Sequence, residues 1–541
     1  MGQGPTLSRP SCVSRPNRRQ ALLAGPAAAL LGACRGEPEL PPIDARWVGS
    51  NPARGHRLRE ASADVHNATK ERRAGAIVVG AGIAGLAAAR ALMRRGIDDV
   101  HVLELEDAPG GNSRGHVLGG LRCPLGAHYL PLPGPQAREV SGWLHEIGLL
   151  KSELGRTVAD QRHLCHSPQE RLYVDGEWIE GLLPPAAPGS ATLAQYRRFA
   201  KAVQDAQRTG FALPSTRAPW TPAHAALDAT TFDAWLGVQG LTDPALRWYL
   251  DYCCRDDYGA DSRSVSAWAG LHYFASRHGF QAPGDETDTR EGVFTWPEGN
   301  AWLVQRLTAP LGERLHGACT VQRVEEAKDH VALTVHDESR GVVERWRAPL
   351  VVLAVPLFIA VRLLRTPPPA LGAAAAALVH APWLVANVLL ERPLLPRRGA
   401  APAWDNVAYG SAWLGYVDAN HQSLAAAPGP TVLSFYRALA PSERSALLQA
   451  SAGAMAAQVI DSARDMHPEL RLRVQRIDIA RWGHAMAIPA PGVRGHAAIA
   501  ALRNARGRVR FAHSDLCGSS VFEEAFTLGH EVASAGQGMR R

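Results

Sequence analysis

A glycine-rich turn between two apolar runs constrains this chain more than any other feature. Residues 76–85 form an apolar run that continues into Gly-x-Gly-x-x-Gly at positions 80–85. A helical stretch over 86–95 follows, and a second apolar run over 100–103 ends on Glu104. A lone glycine pattern is weak evidence, but strand, turn, helix, strand and acidic end in this order predict a βαβ unit that binds a dinucleotide.

Each residue type in this unit has a physical role. We expect Gly80 to permit the tight turn, Gly82 to let backbone amides approach a pyrophosphate, and Gly85 to let helix and strand pack closely. Ala84 belongs to the same turn, where the helix N-terminus offers partial positive charge and free N–H groups to phosphate. The carboxylate of Glu104 accepts hydrogen bonds from ribose hydroxyls and would repel a 2′-phosphate.

The residues after Glu104 point to one kind of dinucleotide. They read Leu-Glu-Asp-Ala-Pro-Gly-Gly-Asn-Ser-Arg and resemble the flavin-containing amine oxidase superfamily, which includes protoporphyrinogen oxidases and phytoene-desaturase-like enzymes. The resemblance implies FAD, with Glu104 on the adenosine ribose and with Gly110 and Gly111 close to the flavin. Asn112 stands where the family most often has arginine.

Two later segments resemble the same superfamily. In the segment 296–356, the strand beginning near Val321 would place a backbone amide and carbonyl against adenine. The chain then closes with a strand, an acidic residue and a Glu-x-Ala helix that contains Glu523. His-Ser-Asp replaces the usual Gly-Glu or Gly-Asp of this element, so that either Ser514 or Asp515 would face the ribityl chain.

Three residues are candidates for the chemistry. His128 follows a turn that the resemblance places beside the flavin ring, where a histidine polarises substrate, holds water or is purely structural. Trp482 belongs either to an aromatic pocket wall or to the core. Many amine oxidases carry a lysine near flavin N5, but this chain has no lysine after Lys328, and Asn387 is the only polar candidate on the expected strand.

A polar and aromatic cluster marks the middle of the chain. Arg255, Asp256 and Asp257 are consecutive, and tyrosines flank them on both sides. Two interpretations are open: a grip on a charged substrate, or a buried ion-pair cluster that joins two helices.

The order of elements predicts an α/β protein. We expect a Rossmann-like FAD-binding domain with a parallel sheet, interleaved with an α+β substrate domain that includes a helical insert over 170–290 and an antiparallel sheet over the flavin. The predicted segments are a signal over 1–34, a tether and lead-in over 35–72, FAD-binding segments over 73–165, 291–375 and 500–541, and substrate-domain segments over 166–290 and 376–499.

The N-terminus reads as an export signal. Arg18 and Arg19 precede a short apolar run of small residues over 21–33, too short to span a bilayer, and the run ends in Leu-Gly-Ala-Cys34. The twin arginine resembles a Tat signal, and the cysteine resembles the acylation site of a bacterial lipoprotein. Because Arg35 is not the aspartate that retains lipoproteins at the inner membrane, we expect a periplasmic protein anchored to the outer membrane. The alternatives are a generic secretory signal and an incidental cysteine.

The net charge argues against a nucleic-acid-binding protein, and the cysteine spacing argues against a metal site. Residues 1–33 hold four of the 58 basic and none of the 51 acidic residues, so that their removal leaves 54 against 51, a net charge of +3. This surplus is too small to indicate nucleic acid. The eight cysteines show no metal-ligand spacing. None follows Trp482 where monoamine oxidases attach flavin, so we expect non-covalent FAD and no metal.

The sequence therefore predicts a FAD-dependent oxidoreductase whose substrate is a small amine. The α-carbon of the amine would give a hydride to flavin N5, and the missing lysine predicts slow reoxidation by oxygen. The alternatives are a desaturase, isomerase or porphyrinogen oxidase acting on a lipophilic substrate, and a non-catalytic flavoprotein of a membrane complex.

Overall fold

Strands outnumber helices in the part of the chain that the structure describes. The computed structural model describes residues 42–59, 70–285, 292–423 and 429–534. The strands there are β1 (Ala45–Val48), β2 (Lys70–Arg73), β3 (Ala76–Val79), β4 (Val100–Leu103), β5 (Gly115–Leu118), β6 (Leu121–Pro124), β7 (Tyr129–Pro131), β8 (Leu150–Glu153), β9 (Arg156–Ala159), β10 (Glu170–Val174), β11 (Glu177–Glu180), β12 (Val293–Thr295), β13 (Leu315–His316), β14 (Cys319–Glu326), β15 (Val331–Asp337), β16 (Val342–Ala348), β17 (Val351–Leu353), β18 (His380–Leu390), β19 (Asp405–Ala408), β20 (Tyr416–Asp418), β21 (Thr431–Ala438), β22 (Val474–Ala487) and β23 (Val509–Phe511).

The α-helices are mostly short. They are α1 (Pro52–Arg57), α2 (Ile83–Arg94), α3 (Arg138–Glu146), α4 (Ala191–Arg208), α5 (Pro222–Asp228), α6 (Phe232–Val238), α7 (Pro244–Tyr258), α8 (Ala267–Tyr273), α9 (Ala301–Thr308), α10 (Leu357–Leu363), α11 (Pro369–Ala376), α12 (Arg444–Gln449), α13 (Ala452–Ser462), α14 (Leu470–Arg473), α15 (Ala497–Arg503) and α16 (Phe522–Ser534). None of the described helices is both long and apolar enough to cross a bilayer.

A five-stranded parallel sheet forms around the predicted glycine turn. Its order is β13-β4-β3-β17-β23, and every neighbouring pair is parallel. The residues of β3 and β17 are buried on both faces, as the apolar runs predict. The helices α2 and α16 share one hydrophobic core with this sheet. The predicted α/β class with a parallel sheet is confirmed.

A larger sheet of eight strands lies within the same compact unit. Its order is β1-β22-β18-β21-β20-β19-β10-β11, and β18, which is buried along its whole length, pairs antiparallel with both β21 and β22. These three strands are the predicted antiparallel sheet. The sheet is larger and more mixed than expected, because β1 joins β22 in parallel and β10 joins β19 in parallel.

The described residues of the predicted lead-in contribute to two strands. Its strand β1 extends the eight-stranded sheet, and its strand β2 pairs in parallel with β16 at the edge of a separate sheet, β14-β15-β16-β2. The expected helical insert also begins differently, since β10 and β11 form an antiparallel hairpin before the helices start at α4. The twin arginine and Cys34 lie outside the described residues, and the domain boundaries stay a prediction.

The helix α7 carries the acidic residues of the predicted polar cluster. The Asp243 carboxylate caps its N-terminus by accepting hydrogen bonds from the backbone N–H groups of Ala245 and Leu246. The helix ends at Gly259, which adopts a left-handed conformation with φ of 71°. This ending places Asp256 and Asp257 in the last turn.

Candidate active site

A cleft of about 510 Å³ runs along the carboxyl ends of the parallel strands and under the eight-stranded sheet. Such strand ends are where doubly wound sheets bind their ligands. Most of the residues predicted from the sequence line this cleft: Gly80, Gly82, Ala84, Glu104, Gly110, Gly111, Asn112, His128, Val321, Trp482 and Ser514. Four do not: Gly85, Asn387, Asp515 and Glu523.

The three glycines of the turn occupy different environments. Gly80 has φ of +98°, and a Cβ there would lie 2.6 Å from the carbonyl oxygen of Ala354. A Cβ on Gly85 would lie 1.9 Å from the Gly80 carbonyl oxygen, so this glycine serves helix–strand packing behind the cleft wall. Gly82 faces open space, since its Cβ would meet nothing nearer than the Cα of Gly111 at 4.0 Å. The backbone of Gly82 is therefore open to a phosphate group.

Glu104 retains capacity for a ligand. Its carboxylate accepts hydrogen bonds from the backbone N–H of Ala81 at 2.7 Å and of Glu106 at 2.9 Å. Burial raises the pKa of this carboxyl, and the two backbone hydrogen bonds act against that rise. A carboxylate has about four acceptor sites, so acceptor sites are left over for ribose hydroxyls. Val321 lies nearby on β14, where the pairing with β15 is interrupted by a register shift.

The other end of the cleft is held by the loop before β7. A Cβ on Gly126 would lie 2.2 Å from the carbonyl oxygen of Asn112, which accepts a hydrogen bond from Ala127 N. The indole of Trp482 donates to the carbonyl oxygen of Leu125 at 2.8 Å. Trp482 therefore both lines the cleft and supports this loop.

His128 is a neutral residue in an aromatic setting. Its ring centroid lies 4.4 Å from that of Tyr436 and 5.4 Å from that of Trp404. Burial lowers the pKa of His128 to about 4. At neutral pH the imidazole therefore offers hydrogen bonding without charge.

The expected position of Asn387 in the site is corrected by the structure. Its side-chain amide donates to the carbonyl oxygen of Pro124 at 2.8 Å and accepts from the Ser434 hydroxyl at 2.5 Å, and the residue is fully buried within the sheet. The β18 residues that reach the cleft are His380, Trp383 and Val385. All four lysines lie in the described part of the chain, and none of them lines the cleft.

Two of the residues predicted in the closing element, Asp515 and Glu523, lie outside the cleft lining. Ser514 lines the cleft, whereas Asp515 lies behind it and accepts hydrogen bonds from Leu357 N at 2.8 Å and from His380 Nε2 at 2.9 Å. Glu523 is outside the cleft lining because its carboxylate forms two hydrogen bonds with the guanidinium of Arg277, at 2.7 and 2.8 Å. Of the pair left open by the sequence, Ser514 is the one that lines the cleft.

The acidic cluster on α7 divides into two kinds of residue. Asp257 pairs with Arg277 at 3.3 Å, as the ion-pair interpretation predicts. Asp256 also lines the cleft, but its contact is the Tyr129 hydroxyl at 3.5 Å. The guanidinium of Arg255 points away, to Asp251 and to the carbonyl oxygen of Ala412.

Burial and the neighbouring Asp257 raise the pKa of Asp256 to about 7. A second acid, Asp405, has its pKa raised well above the usual range by burial and by Asp256. This end of the cleft therefore holds more carboxylates than cations among the described residues. The sequence indicated the cluster, but it did not show which carboxylate lacks a cation, because Arg277 lies on a different element, the π-helical segment Phe274–His278.

The chain belongs to the family of flavin-containing amine oxidoreductases, whose family model matches residues 83–535. The family implies a flavin cofactor. Wild-type putrescine oxidase bound to putrescine has a similar structure, with a TM-score of 0.64 and 19% identity over 86% of this chain and 99% of that one.

Two further solved structures share the fold. Cyclohexylamine oxidase from Brevibacterium oxydans aligns with a TM-score of 0.63 and 18% identity, over 85% of this chain and 98% of that one. A fatty acid isomerase from P. acnes aligns with a TM-score of 0.56 and 16% identity over the same shares.

Proposed function

We propose that this protein is an amine oxidase with non-covalent FAD, in which flavin N5 accepts a hydride from the α-carbon of a small amine. The residues of the cleft fit the cofactor. Gly82 leaves backbone open to the pyrophosphate, Glu104 keeps acceptor sites for the ribose, and Ser514 offers a hydroxyl to the ribityl chain.

The environment of the Asp256 carboxylate is the observation that favours an amine as the substrate. It is a largely buried carboxylate in the cleft wall, and its described contact is a tyrosine hydroxyl rather than a cation. A protonated amine would supply the missing positive charge and would stabilise the ionised carboxylate. A fatty carboxylate would add a like charge at the same place, so Asp256 favours an amine over the lipophilic acid of an isomerase.

The aromatic walls would hold the amine and exclude water. Trp383, Tyr436 and Trp482 line the cleft, and neutral His128 packs against Tyr436. Aromatic faces attract cations and are poorly hydrated. In this arrangement Asp256 attracts and orients the amine, and the rings keep the α-carbon in a dry environment.

Non-covalent attachment is supported by the positions of the cysteines. Of the described cysteines, Cys319 alone lines the cleft, and its backbone N–H donates to the carbonyl oxygen of Glu104, at the end assigned to adenosine. Acid precipitation of the holoprotein should therefore release flavin into the supernatant. Flavin retained in the pellet would contradict this assignment.

Anaerobic bleaching of the bound flavin tests the proposed function. Small primary amines should reduce the flavin, whereas polyenes and fatty acids should not. Asp256→Asn should raise the amine concentration needed for half-maximal reduction by about 10- to 100-fold, through the loss of one charge-assisted contact. Asp251→Asn is the matched control, because Asp251 lies on the same helix but bonds to Arg255 and Ser262 outside the cleft.

Three outcomes would contradict the proposal. Reduction by polyenes or fatty acids alone would favour an enzyme of lipophilic substrates. Bound flavin that no amine reduces would favour a non-catalytic flavoprotein. Equal effects of the two aspartate variants would remove Asp256 from substrate binding.

A further inference from the structure

Two histidines of the cleft wall share one buried carboxylate. Asp515 is fully buried, and its Oδ1 accepts a hydrogen bond from His380 Nε2 at 2.9 Å and lies 3.2 Å from His513 Nδ1. Its Oδ2 accepts from the backbone N–H of Leu357 at 2.8 Å. Both histidines line the cleft.

This carboxylate is ionised without help from lysine or arginine among its described contacts. Burial alone would raise the pKa of Asp515, but the two imidazoles hold it well below its usual range. A buried anion is stable only when donors or positive charge compensate it. The described donors to this carboxylate are His380 Nε2 and the backbone N–H of Leu357.

The ring of His513 has one nitrogen committed and one free. Its Nδ1 lies 3.1 Å from the backbone N of Asp515 and 3.2 Å from Oδ1 of the same residue. Because Nδ1 accepts the backbone N–H of Asp515, a neutral ring carries its proton on Nε2. No described residue accepts a hydrogen bond from this Nε2 proton. The side chain keeps 22% of its surface exposed, so this donor is accessible from the cleft.

The arginines that line the cleft already have hydrogen-bond partners within the protein. Arg277 is held by Asp257 and Glu523, and Arg114 donates to the carbonyl oxygen of Gly49 and the hydroxyl of Ser50. Burial lowers the pKa values of His128 and His484 to about 4, which leaves both rings neutral. Among the histidines that line the cleft, His380 and His513 are the ones that contact a carboxylate.

The position of His513 is that of a phosphate ligand. It lies two residues after the end of β23, which is next to β17, and β17 is next to β3, whose end leads into Gly80. All three strands are parallel, so that His513 and the glycine turn lie along the same carboxyl edge of the sheet. Phosphate groups bind outside this edge in doubly wound folds.

We propose that His513, oriented by Asp515, donates a charge-assisted hydrogen bond from Nε2 to the pyrophosphate of FAD. The inference rests on the flavin cofactor of the proposed function, but it concerns cofactor binding and does not depend on the substrate. On this proposal the segment His513-Ser514-Asp515 has two roles. Ser514 offers its hydroxyl to the ribityl chain, and His513, held by Asp515, binds the pyrophosphate.

The test compares ligands with and without phosphate. Dissociation constants of FAD and riboflavin are measured on apoprotein by flavin fluorescence. His513→Gln should raise the Kd of FAD about tenfold or more and leave that of riboflavin unchanged, because a charge-assisted hydrogen bond to phosphate is lost. His513→Lys should restore FAD binding.

His484→Gln is the control, since it alters another histidine of the cleft that has no carboxylate partner among the described residues. The titratable group next to His513 is Asp515, which follows it in the same turn, and His380 on β18 contacts the other side of that carboxylate. Nearby, Arg503 on α15 donates a hydrogen bond to the carbonyl oxygen of Leu516.

Equal losses of FAD and riboflavin in His513→Gln would overturn the proposal, as would an equal effect of His484→Gln. Wild-type protein that binds no FAD would overturn the flavin assignment as well. Normal FAD binding by wild type and by His513→Gln would overturn the role of His513 alone.

Discussion

Asp256 and Asp257 are neighbours in the chain, yet their side chains have different partners. The carboxylate of Asp257 is paired with Arg277, whereas that of Asp256 contacts the hydroxyl of Tyr129. Removing one partner of a buried ion pair lowers the stability of a protein, so the charge of Asp257 has a structural role. Asp256 is not part of such a pair among the described residues, and its charge is available to a ligand.

The first prediction at this scale concerns pH. Because burial raises the pKa of Asp256 to about 7, the carboxylate is ionised above that pH and neutral below it. Attraction of a cationic amine should therefore grow as pH rises through 7. The ratio of kcat/KM between wild type and Asp256→Asn should increase between pH 6 and 8 and then level off, by up to about tenfold per pH unit well below the pKa. Deprotonation of the amine affects both proteins alike. A ratio that stays constant with pH would contradict the assignment.

A second prediction concerns the missing lysine. No lysine lines the cleft, so reduced flavin would react slowly with oxygen, because no lysine ammonium group is there to stabilise the forming superoxide. Val385 lines the cleft from β18, and Asn387 lies two residues further along, bonded inside the sheet. Val385→Lys should accelerate reoxidation about tenfold in stopped-flow mixing with air-saturated buffer. Val385→Met controls for the added volume, and Asn387→Lys should give no acceleration. Fast reoxidation of the wild type would refute the idea.

At the scale of elements, local sequence patterns were sufficient to predict those strands and helices whose packing partners are close in the sequence. The unit β3–α2–β4 follows from its own residues, because apolar strand, glycine turn and helix are read within thirty residues. The strands β1 and β2 were not predicted from the local sequence, since their partners β22 and β16 lie hundreds of residues away. Strand pairing at such distances depends on tertiary packing, which sequence periodicity does not reveal.

The same distinction explains the site. Gly82 and Glu104 belong to one local unit, and both line the cleft as predicted. Asn387, Asp515 and Glu523 were assigned by their place in a pattern, but each is bonded to a residue far away in sequence: Pro124, His380 and Arg277 respectively. A pattern gives the type of a residue, whereas its partner is decided by how the sheets pack.

A prediction at the element scale follows from the turn between β3 and α2. Gly82 has φ of −71°, which valine adopts readily, and a Cβ there clashes with no protein atom. Gly82→Val should therefore fold, yet its side chain would fill the space needed by the pyrophosphate. We expect the Kd of FAD to rise about 10- to 100-fold. Gly142→Val, on the exposed face of α3 with open space around it, is the matched control. Unchanged FAD content in Gly82→Val would contradict the placement of the phosphates.

At the scale of the whole molecule, the cleft is built from segments spread across the chain. Residues from Gly55 to Ala525 line it, and they come from the parallel sheet, the eight-stranded sheet and α7. A ligand that binds only the folded protein stabilises it in proportion to the logarithm of its concentration. Filling this cleft therefore requires nearly the entire fold, and cofactor uptake and folding are coupled.

This coupling bears on export. A twin-arginine signal is the type that carries folded proteins, so it would suit a protein that has already folded around its cofactor. We propose on this basis that Arg18 and Arg19 direct export and that Cys34 is acylated, anchoring the protein in the periplasm at the outer membrane.

Metabolic labelling with a radioactive fatty acid tests the anchor. Wild type should be labelled and should partition with membranes, and Cys34→Ala should lose the label. Cys12→Ala is the control, because it removes the other cysteine of the first 34 residues and should leave labelling intact. Replacing Arg18 and Arg19 with lysines should keep FAD-loaded protein in the cytoplasm. Equal labelling of wild type and Cys34→Ala would exclude lipidation at this cysteine, and export of the double-lysine variant at the normal rate would argue for a generic secretory signal.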